Sequence, residues 1–425
     1  MRILFANYRY FVSSGSERYM FNATKALLAR GHEVLPFSIS YNRNVQTPFS
    51  RHFVPPPGSS DAVYFRDQSL TLSTLLRTLE RSVYSREVER SVRSMIAETS
   101  PDIAYVLNYL RKLSPSLLVG IKKQGLPIAV RLSDYVMMCP EGHCSRNAAP
   151  CTLCVHGNLW PSIRHRCVQG SLAASGLNAL ATWFHRLMRY FDLIDVFVVP
   201  SRFMYDMMRK AGFASDRLRL IPSFVDTSLF RPPDFETRGR YIAYAGRMHP
   251  TKGLHVVLDA LTILRKIRPD LELRFRIAGT GDRRYLALLR DEIARRHLQK
   301  NVELMGELAT AELCRFLQNA QFSIVPSLYY ENLPNAVLES YACGTPVLAS
   351  NIGSLSECVT DEVTGWLFQP GDPKSLAHRL ASILDHPEEV REISRRLPSL
   401  VASAYAPQAH VELLEGMFSD LTSGP

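Results

Sequence analysis

Residues 321–350 read QFSIVPSLYYENLPNAVLESYACGTPVLAS, and the fold is decided by how they divide. An apolar run at 322–325 is followed by a polar break that ends at Pro334. A short helix carrying Glu339 comes next, then a second apolar run at 347–349. This is the pattern of strand, loop, helix, strand. Glu331 and Glu339 lie eight positions apart, which on one helix would put them on nearly the same face, but Pro334 interrupts such a helix. The two carboxylates are therefore expected to reach one pocket from two backbone elements. Between them, Asn332, Leu333, Pro334 and Asn335 would turn amide groups and the positive end of the helix toward the same space, which suits a phosphate. Carboxylates for sugar hydroxyls beside amides for phosphate point to a sugar nucleotide.

Working outward, the second half repeats the same alternation. Strands are expected at 221–224, 240–245, 273–278, 302–305, 322–325, 347–349 and 366–368, with helices between most of them, giving a doubly wound parallel sheet. After IAYAG at 242–246, Arg247, Pro250, Lys252 and Gly253 precede a helix from Leu254. Two cations and a helix start could offset a diphosphate without a metal, or form a plain surface turn. In IAGTGD at 277–282, Gly279 and Gly281 permit close backbone approach to a ligand.

The chain has 425 residues, 46% of them apolar, enough for two or three buried cores. No run approaches the roughly 18 apolar residues of a membrane span, and MRILFANYRY lacks the apolar centre of a signal peptide, so a cytoplasmic protein is expected. The net charge of +10 is uneven. Residues 1–200 hold 23 Lys and Arg against 13 Asp and Glu, while the remainder is balanced at 27 of each. That asymmetry favours an acidic partner for the first half: nucleic acid, a phosphorylated acceptor or an anionic membrane, with a plain solvated face as the alternative.

The first half also opens as an α/β unit, with a strand at 2–6, Gly15 in the following loop, a helix at 17–30 and a strand from Glu33. Residues 42–68 read as a loop, and 70–98 as a helical stretch rich in arginine. Further strands are expected at 103–107, 127–132 and 195–200. Asp134 follows the second of these, at a strand's carboxyl end, where open α/β sheets place ligand groups. The segment 172–190 reads as an apolar helix, either buried in this domain or lying on a membrane surface.

Five of the eight cysteines fall between 139 and 167. Cys151 and Cys154 form a C-x-x-C, and with Cys167 and Cys144, or Cys139 in its place, they could complete a tetrahedral structural zinc site; packed thiols are the alternative.

These residues resemble the family 4 retaining glycosyltransferases of GT-B architecture (glycosyl transferases group 1). The resemblance rests on GRMHPTKG at 246–253, IAGTGD at 277–282, VELMGEL at 302–308 and ENLPNAVLESYACGTPV at 331–347, with weaker likeness at MRILFAN, ARGHEV (29–34) and VPSRF (199–203). It implies two Rossmann-like domains facing across a cleft. Residues 1–200 would form the acceptor side, with a cysteine-rich insertion near 139–167. Residues 201–425 would form the donor side, with the last helix packing back on the first domain.

By the same resemblance, Arg247 and Lys252 look like the pair that holds the donor diphosphate. Glu331 looks like the residue that faces the sugar, and Glu339 like the one that binds the ribose. Gly15, Gly246, Gly279, Gly281 and the amides of 333–335 would complete the donor pocket, and Asp134 would lie near the acceptor. The implied reaction moves a sugar from a UDP- or GDP-sugar to a glycan or lipid-linked acceptor, with retained configuration and no catalytic metal. Given the basic first half, surface polysaccharide or glycolipid synthesis and a peripheral place on the inner membrane face are expected, and nucleic acid falls away as a partner. One departure stands out: Ser133-Asp134 occupies a position where the family often has His-Asp. An inactive nucleotide-sugar-binding protein or a GT-B epimerase are the competing readings.

Overall fold

The computed structural model describes residues 1–59, 71–233, 239 and 241–423. The part of the expected 42–68 loop beyond residue 59 lies outside them. The chain divides into two compact units, one of residues 1–143, 152–221 and 410–425, the other of residues 144–151 and 222–409.

The first unit begins with β1 (Arg2–Ala6), α1 (Gly15–Ala29), β2 (Glu33–Phe37), α2 (Leu72–Val83), α3 (Arg86–Thr99), β3 (Ile103–Val106), α4 (Ser116–Lys122) and β4 (Ile128–Arg131). A two-stranded hairpin, β5 (Ser145–Arg146) and β6 (Ala149–Pro150), groups with the second unit. Then follow α5 (Trp160–Arg164), α6 (Leu172–Leu187), β7 (Val196–Val199), α7 (Arg202–Lys210) and β8 (Leu218–Leu220). The six-stranded sheet has the order β2-β1-β3-β4-β7-β8, and every pairing is parallel. β3, β4 and β7 are buried along their whole length, as strands covered on both faces must be.

Two boundaries differ from the sequence expectation. The helical stretch from 70 splits at Ser85, whose amide is engaged by Ser114 Oγ (3.2 Å) and whose hydroxyl donates to Glu80 (2.9 Å), so α3 starts afresh. The strand expected at 221–224 lies instead at Leu218–Leu220, because α7 crosses over and returns the chain parallel to β7. The first unit therefore runs on to Ile221.

The second unit comprises β9 (Ile242–Ala245), α8 (Leu254–Ile267), β10 (Phe275–Ala278), α9 (Arg283–Arg295), β11 (Val302–Gly306), α10 (Thr310–Gln318), β12 (Phe322–Val325), α11 (Asn335–Ala342), β13 (Val347–Ser350), α12 (Leu355–Cys358), β14 (Gly365–Phe368), α13 (Pro373–Asp385) and α14 (Pro387–Ala404). Its parallel sheet runs β11-β10-β9-β12-β13-β14. One continuous core packs beneath it, with Phe275, Phe322, Leu348 and Trp366 fully buried.

The last helix, α15 (Pro407–Thr422), belongs to the first unit from His410 onward. Its His410 meets the Tyr19 hydroxyl at 2.9 Å, Phe418 stacks edge-on to Tyr105, and Glu415 pairs with Arg30 at 2.7 Å. No helix among the described residues is long and apolar enough to cross a membrane.

Candidate functional site

In the second sheet the winding reverses between β9 and β12, since β10 leaves on one side and β12 returns on the other. A crevice opens outside the carboxyl ends of strands at such a point. Most of the residues singled out in the sequence follow these two strands: Gly246 to Gly253 after β9, and Glu331 to Asn335 after β12.

The two segments are tied to each other. Lys252 Nζ meets Glu331 Oε1 at 2.5 Å, and the Leu328 amide donates to Thr251 O at 2.8 Å. Gly253, at φ +73°, ends the short turn over Pro250–Lys252 and opens α8. A Cβ there would stand 1.9 Å from Pro326 O, so only glycine lets the loop lie against the end of β12. Gly279 (φ +133°) and Gly281 meet the same demand after β10, where an added Cβ would sit 2.0 Å from Gly246 O and 2.2 Å from Met248 O. Arg247 is exposed at the rim, its carbonyl held by the Tyr244 hydroxyl at 2.8 Å.

Glu331 is buried and held on three sides. Besides Lys252, it accepts hydrogen bonds from Ser327 Oγ (2.7 Å) and Tyr329 Oη (3.1 Å), and its backbone carbonyl accepts one from Ser354 Oγ (2.7 Å). Burial alone would raise its pKa, but the Lys252 ammonium and these hydroxyls outweigh it, and the carboxyl is held below its usual value. Lys252 shows the mirror image. Burial works against its charge, yet Glu331 and the neighbouring tyrosines raise its pKa overall, and its ammonium sits 5.0 Å from the centre of the Tyr329 ring. The pair is ionised across the physiological range.

Glu339 is buried on α11, a separate element from the loop that carries Glu331, as Pro334 implies. Pro334 is the N-cap of α11 and supplies no side-chain cap. Asn332 in the same loop has its side-chain oxygen buried without a hydrogen-bond partner, an acceptor the protein itself leaves open.

Ser327, Tyr329, Tyr244 and Ser354 were not singled out in the sequence. Ser327, Tyr329 and Glu331 alternate at two-residue spacing, which in extended chain puts all three on one side, and that signal was legible. Ser354 comes from a later turn and left none.

Gly15 and Asp134 belong to the first unit. Gly15 is exposed at the first turn of α1, and Asp134 follows β4. Burial pushes the Asp134 carboxyl up, against the Val136 amide that bonds it at 3.0 Å.

The zinc expectation is corrected. Among the described residues no group of three or more His, Cys, Asp or Glu is placed to hold a metal. Cys144 and Cys151 flank the β5–β6 hairpin, joined by a backbone hydrogen bond of 2.7 Å, and group with the second unit; Cys139, Cys154 and Cys167 belong to the first. Cys154 packs with Leu159 and with Ala179 of α6.

Residues 226–398 match the family model described as glycosyl transferases group 1, and residues 136–229 match glycosyltransferase family 4. The stretch from 136 to 398 thus carries glycosyltransferase family sequence, most of it of group 1. It is 29% identical over 229 residues to a D-inositol 3-phosphate glycosyltransferase of Paenarthrobacter aurescens, covering 52% of this chain and 55% of that one. It is 31% identical over 201 residues to an MMP alpha-(1->4)-mannosyltransferase of Mycolicibacterium hassiacum, covering 47% of each. The chain thus spans about half the length of the curated relatives it matches. Among solved structures it resembles Anabaena HepE in complex with UDP and glucose (TM-score 0.68, 16% identity, 99% of each chain). It also resembles a sucrose-phosphate synthase of Thermosynechococcus elongatus (TM-score 0.73, 17% identity, 99% of each chain). At these identities the likeness is one of fold, and that fold is GT-B: two parallel-sheet α/β units.

Proposed function

We propose that this chain transfers a sugar from a nucleoside-diphosphate sugar to a glycan or lipid-linked acceptor, with retained anomeric configuration and without a catalytic metal. The observation that carries the reading is the Lys252–Glu331 pair at the switch point of the second sheet, beside exposed Arg247 and the uncapped start of α11. Arg247, Lys252 and the amides of Leu333 and Asn335 would hold the diphosphate and offset the charge that grows on it as the bond to the sugar breaks. Glu331, ionised and fixed by three donors, would accept from sugar hydroxyls, with the open acceptor of Asn332 beside it. Glu339 would take the ribose.

In the proposed step the bond from the anomeric carbon to the phosphate oxygen breaks, and the acceptor oxygen bonds to the same face of that carbon. The acceptor's proton passes to the departing phosphate oxygen. Asp134 and Gly15, in the other unit, are proposed to serve the acceptor and the closure over the donor. The relative solved with UDP and glucose supports a uridine nucleotide as the first donor to try. A cytoplasmic site of action and a role in surface polysaccharide or glycolipid synthesis fit this chemistry.

The test is a thermal-shift screen of UDP- and GDP-sugars, followed by transfer assays with the anomeric configuration of the product read by NMR. Stabilisation by one nucleotide class and retained configuration are expected. Transfer unchanged in both Arg247→Ala and Lys252→Ala would overturn the assignment.

A further inference from the structure

Helix α6, LAASGLNALATWFHRL at 172–187, is built inside out. At about 100° per residue, Leu172, Gly176, Leu180, Trp183 and Leu187 fall within roughly 80° of one another around the helix. The four large side chains of that stripe are each more than half exposed. The buried residues are Ser175, Ala179, Ala181, Thr182 and His185, none of them a large apolar side chain. A helix on the surface of a water-soluble protein normally has the reverse pattern, with leucine and tryptophan inward.

The orientation is fixed by the polar groups on the inner side. Ser175 Oγ accepts from the Val168 amide at 3.0 Å, and the His185 ring bonds Ser82 O at 2.9 Å. Arg186 adds bonds to Gly157 O (3.2 Å) and Met137 O (3.1 Å). Rolling α6 to hide its leucines would break these bonds, so the apolar stripe stays turned outward.

The surroundings specify a partner. α5 packs against α6 and presents Trp160, 63% exposed. From the end of α5 onward Arg164, His165 and Arg166 are exposed, and beyond the far end of α6 the Arg189 side chain, paired with Asp192 at 2.5 Å, is 81% exposed. Leucines flanked by tryptophans and bracketed by arginines at both ends match the interfacial layer of a bilayer, where indole rings sit at headgroup depth and arginines meet anionic headgroups. The whole net charge of +10 lies within residues 1–200. Sixteen residues span only about 24 Å, short of the roughly 30 Å hydrocarbon core, so such a helix would lie in the surface and not cross it.

We propose that Leu172, Leu180, Trp183 and Leu187 of α6, with Trp160 of α5, dock the first unit on an anionic lipid surface. The docking deepens the proposed function by bringing the chain to where a lipid-linked acceptor would be found, and only that consequence rests on the transferase reading.

The experiment uses the full chain with vesicles of phosphatidylcholine, with and without phosphatidylglycerol. The chain has three tryptophans, and Trp366 is sealed in the second unit's core, so quenching by brominated lipid reports Trp160 and Trp183. Quenching is expected, with binding at least ~10-fold tighter when phosphatidylglycerol is present and weaker in high salt. Leu180→Glu/Trp183→Glu should reduce binding by at least ~10-fold. Leu172→Gln/Leu187→Gln, a milder change at the same exposed stripe, should act in the same direction, and Arg164→Gln/Arg166→Gln should reduce the preference for phosphatidylglycerol. All three variants should keep the parent's circular dichroism and its response to nucleotide. Loss of the nucleotide response in the parent itself would count against the transferase reading and leave docking standing. Failure of the parent to bind either vesicle, or equal binding by parent and stripe variants, overturns the proposal. So does a stripe variant that merely converts an oligomer to a monomer, which would make the face a contact between copies.

Discussion

Lys252 Nζ and Glu331 Oε1 stand 2.5 Å apart although 79 positions separate them in the chain, and the contact joins the loop after β9 to the loop after β12. Most of both side chains is withdrawn from water, so removing one partner leaves the other's charge poorly compensated. Lys252→Ala is expected to destabilise the protein by about 3 kcal/mol and to lower kcat/KM by ~100-fold or more, since it also removes a diphosphate ligand. Lys252→Met combined with Glu331→Gln should recover much of the stability while transfer stays lost. Denaturant titrations alongside transfer assays separate the two effects. Full activity in the double variant would reduce the pair to a structural tie.

Gly279 and Gly306 form an internal comparison, because both have positive φ and the Gly279 amide donates to Gly306 O at 2.7 Å. An added methyl at Gly306 meets nothing within 4 Å, whereas at Gly279 it would lie 2.0 Å from Gly246 O. Gly306→Ala should therefore cost only backbone strain, about 1 kcal/mol. Gly279→Ala should cost more and weaken nucleotide binding, because the loops after β9 and β10 must part. Thermal midpoints with and without UDP check both. Equal losses at the two positions would show that close approach is not what Gly279 provides.

The second sheet was largely legible because its parallel strands are short apolar runs bounded by glycine and proline, and because Pro334 forbids one helix through both glutamates. The separation of Glu331 and Glu339 onto two elements followed from that single residue. What was not legible arose from contacts distant in sequence. Ser354 reaches the Glu331 carbonyl from 23 positions away, and nothing local announces it. The zinc reading failed for a related reason. C-x-x-C spacing reports proximity along the chain and not the convergence of further ligands, and among the described residues no group of three or more His, Cys, Asp or Glu is placed to hold a metal. Composition left α6 either buried or on a membrane surface, and the side it buries follows from Ser175 and His185, whose partners lie outside the helix.

Glu415 on α15 is bonded by Arg30 at 2.7 Å and His32 at 2.8 Å, and these donors lower its pKa to about 2. A carboxyl held low in the folded state contributes stability above its unfolded value, near 4.3, and loses it as pH falls toward 2. The partners are partly exposed, so solvent screening limits the contribution to about 1 kcal/mol. Denaturation of the parent and Glu415→Gln should differ by that amount at pH 6, with the gap narrowing as pH falls below 4. A gap that persists at pH 2 would mean the variant acts through packing.

His185 titrates in a different window. Burial beneath α6 lowers its pKa to about 4; Arg111 acts in the same direction, and the bond to Ser82 O opposes it. The folded state therefore keeps the ring neutral at pH values where the unfolded chain, near 6.5, is already protonated. Between those two values the unfolded state binds more protons, so stability rises with pH across the window. The contribution is complete above about pH 6.5 and falls away as the pH drops through 4, by up to about 3 kcal/mol. His185→Gln has no such group to titrate. Parent minus variant, measured by urea denaturation from pH 7 to pH 4, should decline steadily with acidification. A flat difference would mean that His185 is as easily protonated in the folded chain as in the unfolded one. Its ring would then not be the neutral anchor that holds the apolar stripe of α6 outward.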